Sequence, residues 1–314
     1  MELITLTESN ADSFLLKISG QDRDRHILID GGYRQDARRA LALIESIIEE
    51  HKKIDLVVLT HVDTDHINGL LAIFKNEKVT SSSVDKVLFN VPHSNEEMVA
   101  LKKKPTQCGY NDGNKLLKVL LDKEIKFESA MQGDTHYIDN EISVEVLAPT
   151  RSALEEDHKE WRDTNIGHDA DITYDKDLLI NEEHSEDSKP QNVSSIVCLI
   201  KANGKSALLC GDSVPSQVIS GVSEVTPVDI FKIPHHGSKH NISKDLLKLF
   251  PSRKYLIPGN RTSYPNFFTI ALLENLSEGS KVFVPEGSWV HKEKFNKNIA
   301  LNFISYNLGT RIDV

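Results

Sequence analysis

Apolar residues along this chain fall into short, nearly unbroken runs. Ile54 to Thr60, Val84 to Val91, Ser195 to Ile200, Ala207 to Cys210, Val228 to Ile233, Tyr255 to Ile257 and Lys281 to Pro285 are rich in Val, Ile and Leu and too short for helices. Such runs are expected for strands buried on both faces. Residues 2–7, Phe14 to Ile18, His26 to Gly32, Lys126 to Ser129 and the alternating Ile142 to Ala148 read as further strands. Between them the period changes. Leu41, Ile44, Ile47 and Ile48 form one stripe of a helix over Ala37 to Glu50, with Asp36 as its N-cap. Further helices are predicted near Leu70 to Lys75, over Lys115 to Leu121, from Ser243 to Phe250 and from Pro265 to Leu276, while residues 93–113 read as irregular. Strands alternating with helices and hairpins predict one mixed sheet or two, with helices outside.

Three of the apolar runs break abruptly into groups that can bind a metal. Ile54 to Thr60 ends in His61-Val-Asp63-Thr-Asp65-His66, Ala207 to Cys210 in Gly211-Asp212-Ser213, and Val228 to Ile233 in Pro234-His235-His236-Gly237-Ser238. In extended chain His61 and Asp63 point to one face, and strand ends far apart in sequence can meet at one sheet edge. Gly-Asp-Ser alone would suit a turn, and His-His-Gly-Ser a capped loop. Packing gives no reason for all three to follow buried strands. Imidazoles and carboxylates with open positions are what a catalytic divalent site needs.

Composition narrows the alternatives. Thirty-nine per cent hydrophobic and 27 % charged residues describe an ordinary globular chain of 314 residues, long for one domain but compatible with one large layered one. No stretch has the roughly 18 apolar residues of a membrane span, and the start lacks the basic region and apolar core of a signal peptide, so a cytoplasmic protein is expected. Three cysteines without paired spacing, Cys108, Cys198 and Cys210, fit free thiols. The net charge of −10 argues against a broad nucleic-acid surface, but residues 151–192 hold about eight of those negative charges. That acidic segment, with Trp161 as its one large anchor, is expected to be an insertion serving as a lid, a partly disordered loop or a docking surface for a protein partner.

Together these residues resemble a family. His61-Val-Asp-Thr-Asp-His66 is similar to the signature of the metallo-β-lactamase fold, in the variant with Asp in place of the second His, and Asp30-Gly31-Gly32 resembles that fold's early Asp-Gly element. Asn192 to Ser195, Leu209-Cys-Gly-Asp212, Ile233-Pro-His-His-Gly-Ser238 and Gly259-Asn-Arg resemble the hydrolase domain of ComEC-type DNA-uptake proteins. The resemblance implies a single four-layer αββα sandwich over 1–314 with the acidic insertion at 151–192. It implies two divalent ions, zinc or manganese: His61 and Asp63 on the first, Asp65 and His66 on the second, Asp212 bridging, and one of His235 and His236 completing the set, His235 being preferred. Asp65 would orient a hydroxide or accept its proton, and His236, with Ser238, Lys239 and His240, would donate to developing charge. Two positions depart from the pattern: Tyr264 stands where a His usually precedes the Pro, and Asn192 falls near the place of the absent third-motif His.

The expected activity is metal-dependent hydrolysis, with a phosphodiesterase or nuclease acting on nucleic acid or nucleotides first, and a small-molecule hydrolase of lactones, thioesters or amides as the alternative. A third reading is a degenerate metal-binding subunit of a larger complex. His93, Lys102 to Lys104 and His168-Asp-Ala-Asp171 are further residues that could reach such a site.

Overall fold

The computed structural model describes residues 1–50, 53–92, 108–161, 176–181, 185–260, 263–292 and 299–314. His93, Lys102 to Lys104, Arg261, and His168 to Asp171 lie outside the described residues.

Two sheets stack face to face. The first has the order β15-β1-β2-β3-β4-β5-β6, from strands Arg311–Asp313, Glu2–Thr5, Phe14–Ile18, Arg25–Ile29, Leu56–Val58, Val87–Leu88 and Phe127–Glu128. The second runs β14-β13-β12-β11-β10-β9-β8-β7, from Asn302–Tyr306, Lys281–Pro285, Lys254–Leu256, Ile230–Lys232, Lys205–Leu209, Val197–Ala202, Ile142–Ala148 and Thr135–Tyr137. The helices are α1 (Ala37–Glu49), α2 (Thr64–Lys75), α3 (Cys108–Asp122), α4 (Arg151–Glu160), α5 (Lys176–Leu179), α6 (Pro190–Val193), α7 (Pro215–Ser220), α8 (Lys244–Leu249) and α9 (Phe267–Leu276).

Alternation within the strands builds three apolar layers. Phe14, Leu16, Val58, Cys198, Ile200, Ala207 and Leu209 fill the space between the sheets. Their neighbours Leu15, Leu28 and Val57 face out against Ile44, Leu70 and Leu116 of α1, α2 and α3. On the far side Leu208, Cys210 and Phe231 meet Val218, Leu246 and Ile270 of α7, α8 and α9. Strands covered on both faces explain the unbroken apolar runs, and the αββα expectation holds. Cys198 and Cys210 are buried thiols of this core, and burial raises both pKa values.

Several local expectations change. Helix α2 begins at Thr64 rather than near Leu70. The Asp36 side chain does not cap α1; its Oδ2 accepts from Tyr33 N and Ser9 Oγ, tying two loops together. Residues 108–113, expected to be irregular, open α3. Their glycines read as loop but serve close packing: a Cβ on Gly113 would lie 2.7 Å from the Trp161 ring, and one on Gly109 would press on the Val62 carbonyl. Trp161 stacks on Tyr110 with centroids 4.6 Å apart, which docks the start of the acidic insertion onto α3. That part of the insertion is helix α4, capped by Thr150. Strands β7, β14 and β15 and helix α7 were not expected from the pattern.

The Tyr110 hydroxyl donates to Asp157 Oδ1 at 2.7 Å. Burial raises the Asp157 pKa to about 6, although hydrogen bonds from Tyr110 and Ser194 oppose the shift. The folded protein therefore binds a proton that the unfolded chain, with an ordinary Asp near 3.8, releases earlier. This contribution to stability is complete below the unfolded value and is lost as pH rises through about 6. Asp157→Asn is expected to match the wild type in urea unfolding at acid pH and to be more stable by about 2 kcal/mol at pH 8. An equal effect at both pH values would refute this account.

Candidate metal centre

The carboxyl ends of β3, β4, β10 and β11 reach the same edge of the sandwich, and each delivers a polar residue there. Strand β3 leads to Asp30, β4 to Thr60 and His61, β10 to Asp212, and β11 to His235 and His236. The two sheets are joined at this point, where Ile196 N donates to Thr60 O at 2.9 Å. Gly211 is needed because a Cβ would lie 2.8 Å from the Thr60 side chain, and its φ is +51°. Asp30, His235 and His236 hold positive φ values of 53°, 45° and 54°. Non-glycine residues pay an energetic cost in this region, and such strain clusters at functional sites.

Asp30 fixes the imidazoles. Its Oδ1 accepts from Thr60 N at 2.8 Å, and its Oδ2 from Thr60 Oγ1 at 2.7 Å and from His66 Nδ1 at 2.8 Å. Since a carboxylate only accepts, the His66 proton sits on Nδ1 and the lone pair belongs to Nε2. Thr60 Oγ1 gives its own proton to Asp30, so it accepts from His61 Nδ1 at 3.1 Å and leaves His61 Nε2 with the lone pair. On β11's loop, His235 Nδ1 faces Asn241 Oδ1 at 3.0 Å and Asp187 Oδ2 at 3.4 Å, so its Nε2 also points inward.

Asp212 stands between two groups of donors. Its Oδ2 is 3.8 Å from His61 Nε2 and 3.6 Å from His235 Nε2. Its Oδ1 is 3.5 Å from His66 Nε2. Asp63 Oδ2 lies 3.8 Å from His61 Nε2 on the first side, and Asp65 Oδ2 lies 3.0 Å from His236 Nε2 on the second. These separations suit donors around an ion better than hydrogen bonds, apart from the last. Asp65 with His66 and His236, and His61 with His66 and Asp212, each bring ligand atoms within 4.8 Å of one another. Among the described residues the buried atoms His61 Nε2, His66 Nε2 and Asp212 Oδ1 have no hydrogen-bond partner, although each aims into this centre. Buried polar atoms without partners are costly, and a divalent cation satisfies all three. The residues present therefore fit a metal.

All six expected ligands, His61, Asp63, Asp65, His66, Asp212 and His235, are brought together. His236, expected as a free donor, instead joins Asp65 and His66. Both imidazoles of the pair face the centre, His235 toward Asp212 Oδ2 and His236 toward Asp65. The left-handed backbone at both residues produces this arrangement, which simple alternation would not. Tyr264 lies beside them, its ring centroid 5.5 Å from His235 and 6.2 Å from His236. Asn192 lines the same cleft and donates to Asp187 Oδ2 at 2.6 Å.

Sequence reading missed several members. Lys232 is fully buried in β11, where its ammonium pairs with Asp12 and donates to Gly211 O at 2.7 Å. A lysine inside Ile230-Phe-Lys-Ile was the available signal. Asp12 also approaches His236 Nδ1 at 3.6 Å. Asp187 and Lys189 were hidden in the acidic insertion; Lys189 pairs with Asp63.

The titration of the centre follows from this crowding. Burial opposes charge on His66, but Asp212 and Asp30 hold its pKa well above the ordinary histidine value. Burial likewise opposes charge on His235, and Asp212 and Asp187 raise it to about 9. Burial raises Asp212, yet His235, His66 and His236 hold it well below the usual carboxylate range. Burial also works against Asp187, which His235 and Asn192 lower to about 2. A metal ion bound here would displace a proton from any ligating imidazole, because only the neutral ring has a lone pair to offer.

The centre floors a cleft of about 390 Å³. Its described lining is polar: Ser185 to Lys189 from the insertion, Ser238, Lys239 and His240 after β11, Asn10, Asn192 and Asn266, with the rings of Tyr33 and Tyr264. Among the described residues no helix is long and apolar enough to cross a membrane.

Comparison with known proteins identifies the family. Residues 6–259 match the family model described as Metallo-beta-lactamase superfamily. ComE operon protein 3 of Bacillus subtilis (strain 168) is 21% identical over 231 residues, which cover 72% of this chain and 23% of that protein. The chain thus spans about a quarter of the length of this relative. Similar solved structures include Zn(2+)-bound PqqB from Methylobacterium extorquens, at 10% identity and a TM-score of 0.49 over 100% of each chain. The metallo-beta-lactamase fold protein YhfI from Bacillus subtilis is 9% identical, with a TM-score of 0.47 over 99% of each chain. With the family model spanning most of its length and the Asp and His clusters meeting at one edge of an αββα sandwich, the chain belongs to the metallo-beta-lactamase superfamily.

Proposed function

We propose that this protein is a metal-dependent phosphodiesterase acting on nucleotides or on nucleic-acid ends. The observation that carries the reading is the cleft lining. No aliphatic side chain is among its described residues; hydroxyls, amides, imidazoles, the carboxylates of Glu186 and Asp187, Lys189, Lys239 and two tyrosine rings make the wall above the centre. A lactone or thioester with an acyl chain would find no aliphatic side chain among the described lining residues to pack against, and little beyond the two tyrosine rings. A phosphodiester suits donors such as Ser238, Lys239 and His240, and tyrosine rings offer faces for a base. The resemblance to ComEC-type hydrolase domains points the same way.

A divalent ion bound at the centre supplies a Lewis acid that makes water acidic and draws charge from a phosphoryl oxygen. The chain's own residues do the rest. Asp65, which His236 and His66 keep ionised against burial, accepts a hydrogen bond from the attacking water and orients it. Ser238 and Lys239 line the same cleft and would receive the growing negative charge of the phosphoryl oxygens. Glu186 and Asp187 at the rim disfavour a long polyanion, so a single nucleotide or a strand end fits better than duplex. The small-molecule hydrolase remains the second reading, favoured by those same rim carboxylates.

The reading is tested with protein supplied with zinc or manganese and offered bis-p-nitrophenyl phosphate, a dinucleotide, single-stranded DNA and a panel of lactones. Turnover of the phosphodiesters, abolished by Asp65→Ala, is expected. Lactone turnover without phosphodiester turnover would sink it.

A further inference from the structure

We infer that the Lys189 ammonium takes the place of a second cation beside Asp63, so that the chain holds one divalent ion, among Asp65, His66, His236 and Asp212 and within reach of His61 Nε2. This rests on the metal-centre reading above and departs from the two ions that the family resemblance implies.

The two halves differ in how their charge is met. In the His61 half, the carboxylate of Asp63 pairs directly with Lys189 Nζ, through the same Oδ2 that faces His61. In the other half, among the described residues, the side-chain hydrogen bond of the Asp65 carboxylate is to an imidazole, that of His236. Lys232 does not play the part of Lys189 there. Its ammonium is held by Asp12 and the Gly211 carbonyl and stays 3.9 Å from Asp212 Oδ1. One half therefore has a lysine hydrogen-bonded to its own carboxylate, whereas the lysine nearest the other is committed to Asp12 and touches neither Asp65 nor Asp212 at hydrogen-bond distance.

Lys189 is delivered by rigid backbone. Its N–H donates to Asp187 Oδ1 at 2.9 Å, and its carbonyl accepts from Asn192 N and Val193 N, both at 3.0 Å. It directly precedes Pro190, which opens α6 with its φ already helical, and Gln191 and Asn192 behind it are buried. A dication entering beside the Lys189 ammonium would meet like charge at ion-pair distance in a site largely shielded from solvent, where repulsion is strong.

The substitution in the signature gains a reason from this pairing. A neutral imidazole at position 63 would ligate a metal but could not pair with an ammonium, whereas a carboxylate does. Asp63 and Lys189 form one unit: the family's second histidine and the ion it would hold are both replaced.

Metal content after loading with zinc and dialysis, read by elemental analysis and by calorimetric titration, tests the inference. The wild type is expected to hold one ion per chain. Lys189→Met, which leaves Asp63 without its cation, is expected to hold two, and Lys189→Arg one. Asp63→Asn is expected to keep the single ion, and Asp65→Asn to lose it; this pair keeps the test decisive if Lys189→Met fails to fold. Two ions in the wild type, one in folded Lys189→Met, or loss of the ion in Asp63→Asn would each overturn the inference while leaving the metal centre standing. No ion in the wild type would overturn the metal centre itself.

Discussion

Asp212→Asn is expected to strip the metal from the protein and to lower kcat/KM for phosphodiesters by roughly 10³-fold, the scale of one strong electrostatic element in a water-poor site. Asp212 is the one carboxylate that faces both groups of imidazoles, Oδ1 toward His66 and Oδ2 toward His61 and His235. The amide keeps shape and volume, so no cavity opens and the fold should survive. It removes the charge, however, and turns an NH₂ toward one set of lone pairs. Either orientation spoils one side, because Asn241 Nδ2 already holds the Asp212 backbone carbonyl at 2.8 Å and the Ser195 hydroxyl its N–H at 3.3 Å, fixing the side chain's origin. Elemental analysis, steady-state kinetics and circular dichroism separate the effects. A folded variant that retains its metal and most of its activity would show that Asp212 is not the organising ligand.

The parts of the centre that were legible in sequence share one property. His61, Asp63, Asp65, His66, Asp212, His235 and His236 each follow a buried strand, so an apolar run breaks into polar residues at the sheet edge. A strand covered on both faces has nowhere else to place such groups. What was not legible depends on contacts between distant parts of the chain. Asp12 follows no apolar run of its own, and its partner Lys232 reads as an oddity within a strand until the two are seen to pair in the interior. Lys189 was masked by its surroundings, since a segment that is acidic on average gave no hint that its one basic residue at that point reaches the centre. The roles of His235 and His236 depend on positive φ at both, which no side-chain pattern announces. Strands β14 and β15 alternate too weakly to read, and β15 exists as a strand because the end of the chain pairs with β1. In the insertion, the end nearest α6 proved to be cleft wall, so the segment's position beside β9 mattered more than its composition.

Gly69→Ala is expected to be the most destabilising single methyl addition near the site, costing about 3 kcal/mol or more. On propensity alone the sign would be opposite. Gly69 lies in the interior of α2, where Ala is better than Gly by about 1 kcal/mol. Packing overrides this preference. A Cβ at Gly69 would fall on the carbonyl of Gly31, and a Cβ at Gly31 would fall on the backbone of Gly69 and Leu70, in both cases far inside van der Waals distance. The two glycines let a loop and a helix touch backbone to backbone. Two hydrogen bonds hold them there: Gly31 N donates to His66 O and Gly69 N to Gly32 O, each at 2.8 Å. The neighbours on both sides are main chain, so no side chain can rotate away to make room. Helix α2 would have to lift from the Asp30 loop, and that movement would break the bond between Asp30 and His66 Nδ1 that aims the imidazole. The variant should thus unfold at lower denaturant and, where folded, bind metal more weakly, since losing the partner that orients a ligand costs roughly 10–100-fold in affinity. Urea unfolding of the metal-free protein together with zinc titration measures both losses. A stability gain near the propensity value, with metal affinity unchanged, would mean that the loop and helix do not meet as tightly as described.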